Sequence, residues 1–387
     1  DQKTWLGNRV NRTRVGLLFP GQGSQKLNMA RTIVERYTWA RKLVNEADQW
    51  LQEMGGDSIK AAFFCTPERA NDSDEKRNWF HALSETEVAQ PAICLTSVLW
   101  WQLLQRLGVT PVAVGGHSLG ELTAFHTAGA YDIADLLRFA GLRGRALKRS
   151  GSKPGAMVSL MCSQERLATI LNQVSGYAVL ANINSTRQMV LSGEQSAIES
   201  AISIASQSDI QFQRLPVSNA FHSKLAEHAA KVLELESPLA ETLTNLDIRL
   251  FSSVDGKEVV PGSSLRKHFA AQVISPVNFV AMVESMAPVC DVLIEVGPGR
   301  VLTGLVDDIT GSEGPPCMPV ESVPSRDADL NMLLARLFVQ GVNIDWRVLY
   351  EGRLVRPFVP PSERLFIENP CEREFDLPDA SGDSAGS

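Results

Sequence analysis

No run of apolar residues in this 387-residue chain approaches the ~18 needed to cross a bilayer, and no signal-peptide pattern opens it. No cysteine pair has C-x-x-C or metal-ligand spacing. The six cysteines (65, 94, 162, 290, 317 and 371) are scattered, and Cys94 and Cys290 sit in apolar runs. These absences predict reduced core thiols, no bound metal and a cytoplasmic protein. Basic residues form no stripe and the net charge is −7, so neither nucleic acid nor a membrane is an expected partner. Internal repeats are also missing. What is present is an ordinary globular composition, 44% hydrophobic and 21% charged, long enough for one large domain with a smaller insert. A start at Asp1 rather than methionine predicts a piece of something longer.

Residues 1–14 are polar and read as the end of a linker. Val15–Phe19 is an apolar strand that runs into the turn cluster Pro20-Gly21-Gln22-Gly23-Ser24-Gln25. Ile33, Tyr37, Ala40, Val44, Ala47 and Leu51 recur at helical spacing and predict one long amphipathic helix. Residues 66–89 are charged and read as a surface loop with short helical pieces, ahead of a buried helix over residues 92–107. From Gly155 the rhythm changes. Strand 157–161, helix 164–174, strands 178–183 and 188–191, helix 196–205 and strand 210–217 give the β-α-β-β-α-β order of a ferredoxin-like unit. Further on, a strand over 292–295 ends in Gly297-Pro298-Gly299, and a helix covers 328–340. The expected plan is a large α/β subdomain with a parallel sheet over 15–154 and 219–327, interrupted by the ferredoxin-like insert 155–218. A helix and linker over 328–375 and a disordered tail over 376–387 follow.

Gly116-His117-Ser118-Leu119-Gly120 stands between the apolar Pro111–Val114 and the helix-compatible Glu121-Leu122-Thr123-Ala124. On a sharp strand-to-helix turn, G-x-S-x-G pushes the serine hydroxyl outward, and the following helix aims its first N–H groups at the site. That is the setting of an activated nucleophile. Alone, the five residues fit a glycine-rich turn with an ordinary serine equally well. A serine near neutral pH needs a base, usually histidine. His117 adjoins the nucleophile, where neighbours on a turn point apart. His81, His228 and His268 lie in polar or helical surroundings and read as solvated, and His126 reads as a packed helix residue. His222, in Asn219-Ala220-Phe221-His222-Ser223, falls where the chain returns from the insert, a place that suits either a base or a helix-start histidine.

The predicted helix over 133–147 has its apolar stripe at Ile133, Leu136, Leu137, Ala140 and Leu147. At 100° per residue Arg143 falls beside that stripe, whereas Arg138, Arg145 and Arg149 cluster opposite. An inward guanidinium must be paired. A structural salt bridge with a buried acid is the expectation from the residues alone. The other solution is a carboxylate that arrives with a substrate, held by two parallel N–H···O bonds.

Phe19-Pro20-Gly21-Gln22-Gly23-Ser24-Gln25, Gly116-His117-Ser118-Leu119-Gly120-Glu121, Arg143-Gly144, Phe221-His222-Ser223 and Gly297-Pro298-Gly299 occur in one order. In order and spacing they resemble the malonyl-CoA:acyl carrier protein transacylases and the acyltransferase domains of polyketide and fatty acid synthases, from about residue 15 to 310. Val342-Asn343-Ile344-Asp345-Trp346 and Leu349-Tyr350 resemble the linker after such domains in polyketide synthases; Val359-Pro360-Pro361-Ser362 departs from its usual ending. The expected parent is an iterative type I polyketide synthase.

The resemblance implies an α/β-hydrolase-like large subdomain beside the ferredoxin-like one. It makes Ser118 the acylated nucleophile and His222 its base, oriented by the carbonyl of Gln272. The N–H groups of Gln22 and Leu119 become the oxyanion hole, and Arg143 the binder of the malonyl carboxylate. Gln90, Phe221 and Asn219 line the pocket. Phe221 and Leu119 accompany malonyl selection in the family, whereas Asn219 departs from the usual His or Tyr. No cofactor is implied. Malonyl-CoA is the substrate, and a carrier protein's phosphopantetheine thiol the acceptor, among neighbouring synthase domains. A serine hydrolase sharing G-x-S-x-G, or a silent scaffold domain, are the alternatives. The first lacks an evident acidic third member, and the second sits poorly with an intact Ser118, His222 and Arg143.

Overall fold

The computed structural model describes residues 13–56, 58–60, 73–149, 155–217 and 219–351. The linker expected before residue 13, the segment 61–72, Val359–Ser362 and the tail lie outside them. Ten strands occur among the described residues: β1 (Val15–Phe19), β2 (Pro111–Gly116), β3 (Gly155–Leu160), β4 (Ala178–Ile183), β5 (Met189–Glu194), β6 (Phe212–Arg214), β7 (Arg249–Phe251), β8 (Val277–Asn278), β9 (Val292–Pro298) and β10 (Cys317–Glu321). They form two sheets, ordered β10-β9-β1-β2-β7 and β6-β3-β5-β4-β8.

Every pairing in the first sheet is parallel. The central strand β1 (Val-Gly-Leu-Leu-Phe) and its neighbour β9 (Val292 to Pro298) are buried along their whole length, as expected where helices cover both faces. The chain leaves β1 toward β2 on one side, while β9 and β10 add on the other. That reversal opens a crevice at the carboxyl ends of β1 and β2. Behind it runs helix Thr86–Arg106, buried at nearly every position from Ala89 to Leu104, which is why its hydrophobicity has no single face. The four described cysteines are buried and unpaired. Among the described residues no helix is long and apolar enough to cross a membrane.

The second sheet has the antiparallel β6-β3-β5-β4 core of a ferredoxin-like unit, with helices Gln164–Leu171 and Gln195–Gln207 packed on it. β8, supplied from beyond residue 219, pairs in parallel with β4 and extends this sheet by one strand.

Several expectations need correction. The long helix over 33–51 is two, Arg31–Arg36 and Thr38–Glu53, because Tyr37 is extended (φ −108°, ψ 127°) and breaks the ladder without interrupting the apolar spacing. Within the charged stretch 66–89, Ser73–Ser84 is a full helix. The buried helix begins at Thr86, six residues earlier than expected, and carries Pro91 within its early turns. The last strand of the small sheet shrinks to Phe212–Arg214, all three residues exposed.

Two glycines set the spacing of the crevice. A Cβ on Gly120 would lie 1.9 Å from Phe19 O, and one on Gly116 would lie 2.1 Å from the Gly120 carbonyl carbon. Both obstacles are backbone, which cannot swing aside. Gly120→Ala is therefore expected to cost upward of about 3 kcal/mol, the upper end of overpacking penalties, read as a lower denaturant midpoint. An unchanged midpoint would show that β1 and the turn after β2 are not in forced contact.

Candidate active site

Phe19 at the end of β1 pairs with Gly116 at the end of β2, so both chains leave the sheet together. The His117 N–H donates to Phe19 O at 2.9 Å and pins the second turn to the first. Between Gly116 and Gly120 the backbone reverses through Ser118 at φ 51°. A left-handed conformation costs a non-glycine residue about 1–3 kcal/mol and persists only where its surroundings impose it. The strain lifts the Ser118 side chain off the turn, at the start of helix Gly120–Thr127.

His222 arrives from the other direction, also left-handed (φ 55°), with its N–H donating to Val273 O at 3.0 Å. Its Nε2 lies 2.7 Å from Ser118 Oγ. Its Nδ1 faces two backbone carbonyls, of Gln272 and Ser275, each at 3.0 Å. Carbonyls only accept, so Nδ1 carries the proton and the bare Nε2 accepts from the serine hydroxyl. Burial, reinforced by the positive charge of Arg143, pushes the imidazole down to about 4. At neutral pH it is an uncharged base.

Arg143 sits on helix Ile133–Arg149 and is 3% exposed. Burial lowers the guanidinium to about 10, so at pH 7 it is still a cation. The buried-acid salt bridge expected from the residues alone is not found: among the described residues its one hydrogen bond runs from Nη2 to Gln272 Oε1 at 3.3 Å, and Nε has no partner. Five donors and one acceptor leave a buried cation short of partners. The Gln272 Nε2 in turn donates to Ser118 O at 3.1 Å, so one side chain spans from the nucleophile turn to the cation.

The first turn lies against the second, since a Cβ on Gly21 would fall 2.6 Å from His117 O. Pro20 is held from behind by Gly297, whose φ of 151° and missing side chain leave room for its ring. The N–H groups of Gln22 and Leu119 have no hydrogen-bond partner among the described residues. Leu119 N also stands at the positive end of helix Gly120–Thr127. Gln22 Nε2 donates to Thr86 Oγ1 and Gln90 Nε2 to Gln22 Oε1, both at 3.2 Å; the fully buried Gln90 has an Oε1 without a partner.

Phe221 is half-buried against Met157, Ala181 and Val190 of the second sheet. Asn219 sends its Nδ2 to Leu147 O at 2.6 Å, so its amide is engaged by the end of the helix that carries Arg143. Of the other histidines, His117 bonds Asn184 Oδ1 at 2.8 Å, His126 bonds Tyr131 O at 2.9 Å, and His81 and His228 are exposed. His268 is not solvated as expected: it faces Glu121 Oε1 at 3.0 Å under the nucleophile turn. Glu121 is the residue that sequence reasoning passed over. Its sign was a lone acid three residues after Ser118 in a helix otherwise apolar on that face.

A hydroxyl bonded to a neutral, carbonyl-oriented imidazole, with unpaired N–H groups on the two adjoining turns, is equipped to take an acyl group and give it up. Residues 17–343 match the family model described as acyl transferase domain; the chain belongs to that family and is an acyltransferase. It is 30% identical over 304 residues to the malonyl CoA-acyl carrier protein transacylase of Bacillus subtilis, covering 77% of this chain and 90% of that one. It is 31% identical over 350 residues, 87% of its length, to the PKS-NRPS hybrid synthetase acdB of Aspergillus candidus, of which it spans only 13%. Its fold is similar to the crystal structure of the malonyl CoA-acyl carrier protein transacylase from Clostridium perfringens, with a TM-score of 0.72 and 27% identity, covering 88% of this chain and 100% of that one.

Proposed function

We propose that this chain moves malonyl from coenzyme A to Ser118, and from there to the phosphopantetheine thiol of an acyl carrier protein, as the loading domain of a polyketide synthase. The observation that carries the reading is Arg143: a buried cation with open donors, joined through one side chain to the turn that bears the hydroxyl. A free carboxylate on the acyl group supplies the missing partner.

In the first half-reaction His222 Nε2 takes the Ser118 proton as Oγ attacks the thioester carbonyl. The oxyanion is held by the N–H groups of Gln22 and Leu119, each such donor being worth roughly 2.7–4 kcal/mol. Collapse breaks the carbon–sulfur bond, and the imidazolium returns its proton to the leaving thiol. The second half-reaction repeats these steps with the carrier thiol attacking the serine ester. Thiolates leave readily, so backbone carbonyls suffice behind His222 where amide cleavage uses a buried Asp. Phe221, the residue before the base in sequence, supports malonyl over branched extenders through the family resemblance, and the sheet boundaries support residues 155–218 as an insert. Initial velocities with both substrates varied should give the parallel lines of a ping-pong reaction, with coenzyme A released before any carrier is added. Rapid loss of the acyl group to water without an acceptor would favour a hydrolase instead.

The low imidazole value has a kinetic consequence. In the free enzyme, kcat/KM for loading should stay level as pH falls below the usual histidine range, with its acid limb near 4. Arg143→Ala removes one of the three lowering causes, so the limb should move up toward, but not reach, 6.5, because burial and the nearby His117 persist. The sign for stability is the same: between 6.5 and about 4 the unfolded chain binds the proton more readily, so this group favours unfolding as pH falls. An acid limb near 6.5 in the parent enzyme would contradict the buried, neutral base.

A further inference from the structure

Glu121 is fully buried, yet the chemistry above gives it no task. Its Oε2 accepts from Gln272 Nε2 at 2.6 Å and from Ser253 Oγ at 2.7 Å, while Oε1 faces His268 at 3.0 Å. Burial alone would raise its carboxyl, but the hydrogen bond and charge of His268, with the bonds from Gln272 and Ser253, outweigh that and lower it. It is an ionised carboxylate beneath the nucleophile turn.

Three groups surround the side-chain amide of Gln272. The Glu121 carboxylate and the Ser118 carbonyl can only accept, and the Arg143 guanidinium can only donate. One amide orientation satisfies all three. The flipped amide would set its NH2 against the guanidinium and its oxygen against the carboxylate, two mismatches in a dry site.

We propose that Glu121 and the side-chain amide of Gln272 are positioning residues that set acyl selectivity, by pinning Arg143 for acyl groups that carry a carboxylate. The inference rests on the reading of Arg143 given above. Glu121 fixes which end of the amide meets the cation, and Gln272 Oε1 supplies the one hydrogen bond that, among the described residues, holds the guanidinium in place. Two parallel N–H···O bonds to a carboxylate need that fixed plane. An acetyl group makes no such contact, so losing the pin falls on malonyl in particular. The backbone carbonyl of Gln272 still serves His222 when its side chain is changed.

The test is competitive loading from malonyl-CoA and acetyl-CoA, read by intact-protein mass spectrometry as the ratio of the two kcat/KM values. In Gln272→Met and in Glu121→Met the malonyl/acetyl ratio should fall at least tenfold. Glu121→Gln keeps an acceptor oxygen toward Gln272 and should bring the ratio back to within threefold of the parent. Malonyl and acetyl loading that decline together, at a constant ratio, would overturn the proposal and leave the pair a structural role. If Glu121→Met does not fold, Gln272→Met decides alone. Arg143→Ala in the same assay separates the two claims. An unchanged ratio there sinks the carboxylate reading itself, whereas a collapse there with no change in Gln272→Met sinks only the positioning pair.

Discussion

Replacing Arg143 with alanine is expected to lower malonyl loading by about 10²- to 4 × 10³-fold while acetyl loading holds or rises. Removing one member of a buried, hydrogen-bonded charge pair costs about 3–5 kcal/mol, and each 1.4 kcal/mol is a factor of ten. In the proposed complex that pair is the guanidinium and the acyl carboxylate. Acetyl stands in the opposite position. In the parent enzyme it leaves a buried cation with Gln272 Oε1 as its one acceptor among the described residues, at 3% exposure and with Nε already unpartnered. Alanine removes that penalty. Loading measured separately with each thioester checks the result, and equal losses for both would take Arg143 out of selectivity.

His222→Ala is expected to slow acylation of Ser118 by about 10²–10⁴-fold, the usual worth of a positioned general base. The hydroxyl would keep its strained turn and the proposed N–H donors of Gln22 and Leu119, so residual loading should survive and rise with pH as hydroxide substitutes for the imidazole. Single-turnover release of coenzyme A reads this directly. A variant that loads at the parent rate would mean that the 2.7 Å contact between Nε2 and Ser118 Oγ carries no proton in the reaction.

The parts of this account legible in the sequence are those encoded by short, local patterns. Apolar Val15–Phe19 running into a glycine-rich turn, and G-x-S-x-G between a strand and a helix, fix two loops at the carboxyl ends of neighbouring strands. The alternation of strands and helices from Gly155 onward marks out the small sheet, because each of its elements lies within a few residues of the next. Arg143 could be placed beside an apolar stripe by helical phase, but its partner could not be named. The acid expected beside it proved to be a glutamine 129 residues away, and no spacing predicts that. His268 read as solvated because its neighbours in sequence are polar. Its burial comes from Phe125, Phe269 and Glu121, two of which arrive from another helix. The same limit hid β8, a two-residue strand whose pairing with β4 depends on a segment nearly a hundred residues on. Tyr37 shows the converse: its apolar spacing was correct, and its backbone still left the helix.

The most direct test is to react the protein with malonyl-CoA alone, digest it and locate the acyl group by mass. The account predicts a malonyl ester on the peptide that contains Ser118, absent from Ser118→Ala and discharged by a carrier thiol. Acylation at another residue, or acylation that persists in Ser118→Ala, would contradict it.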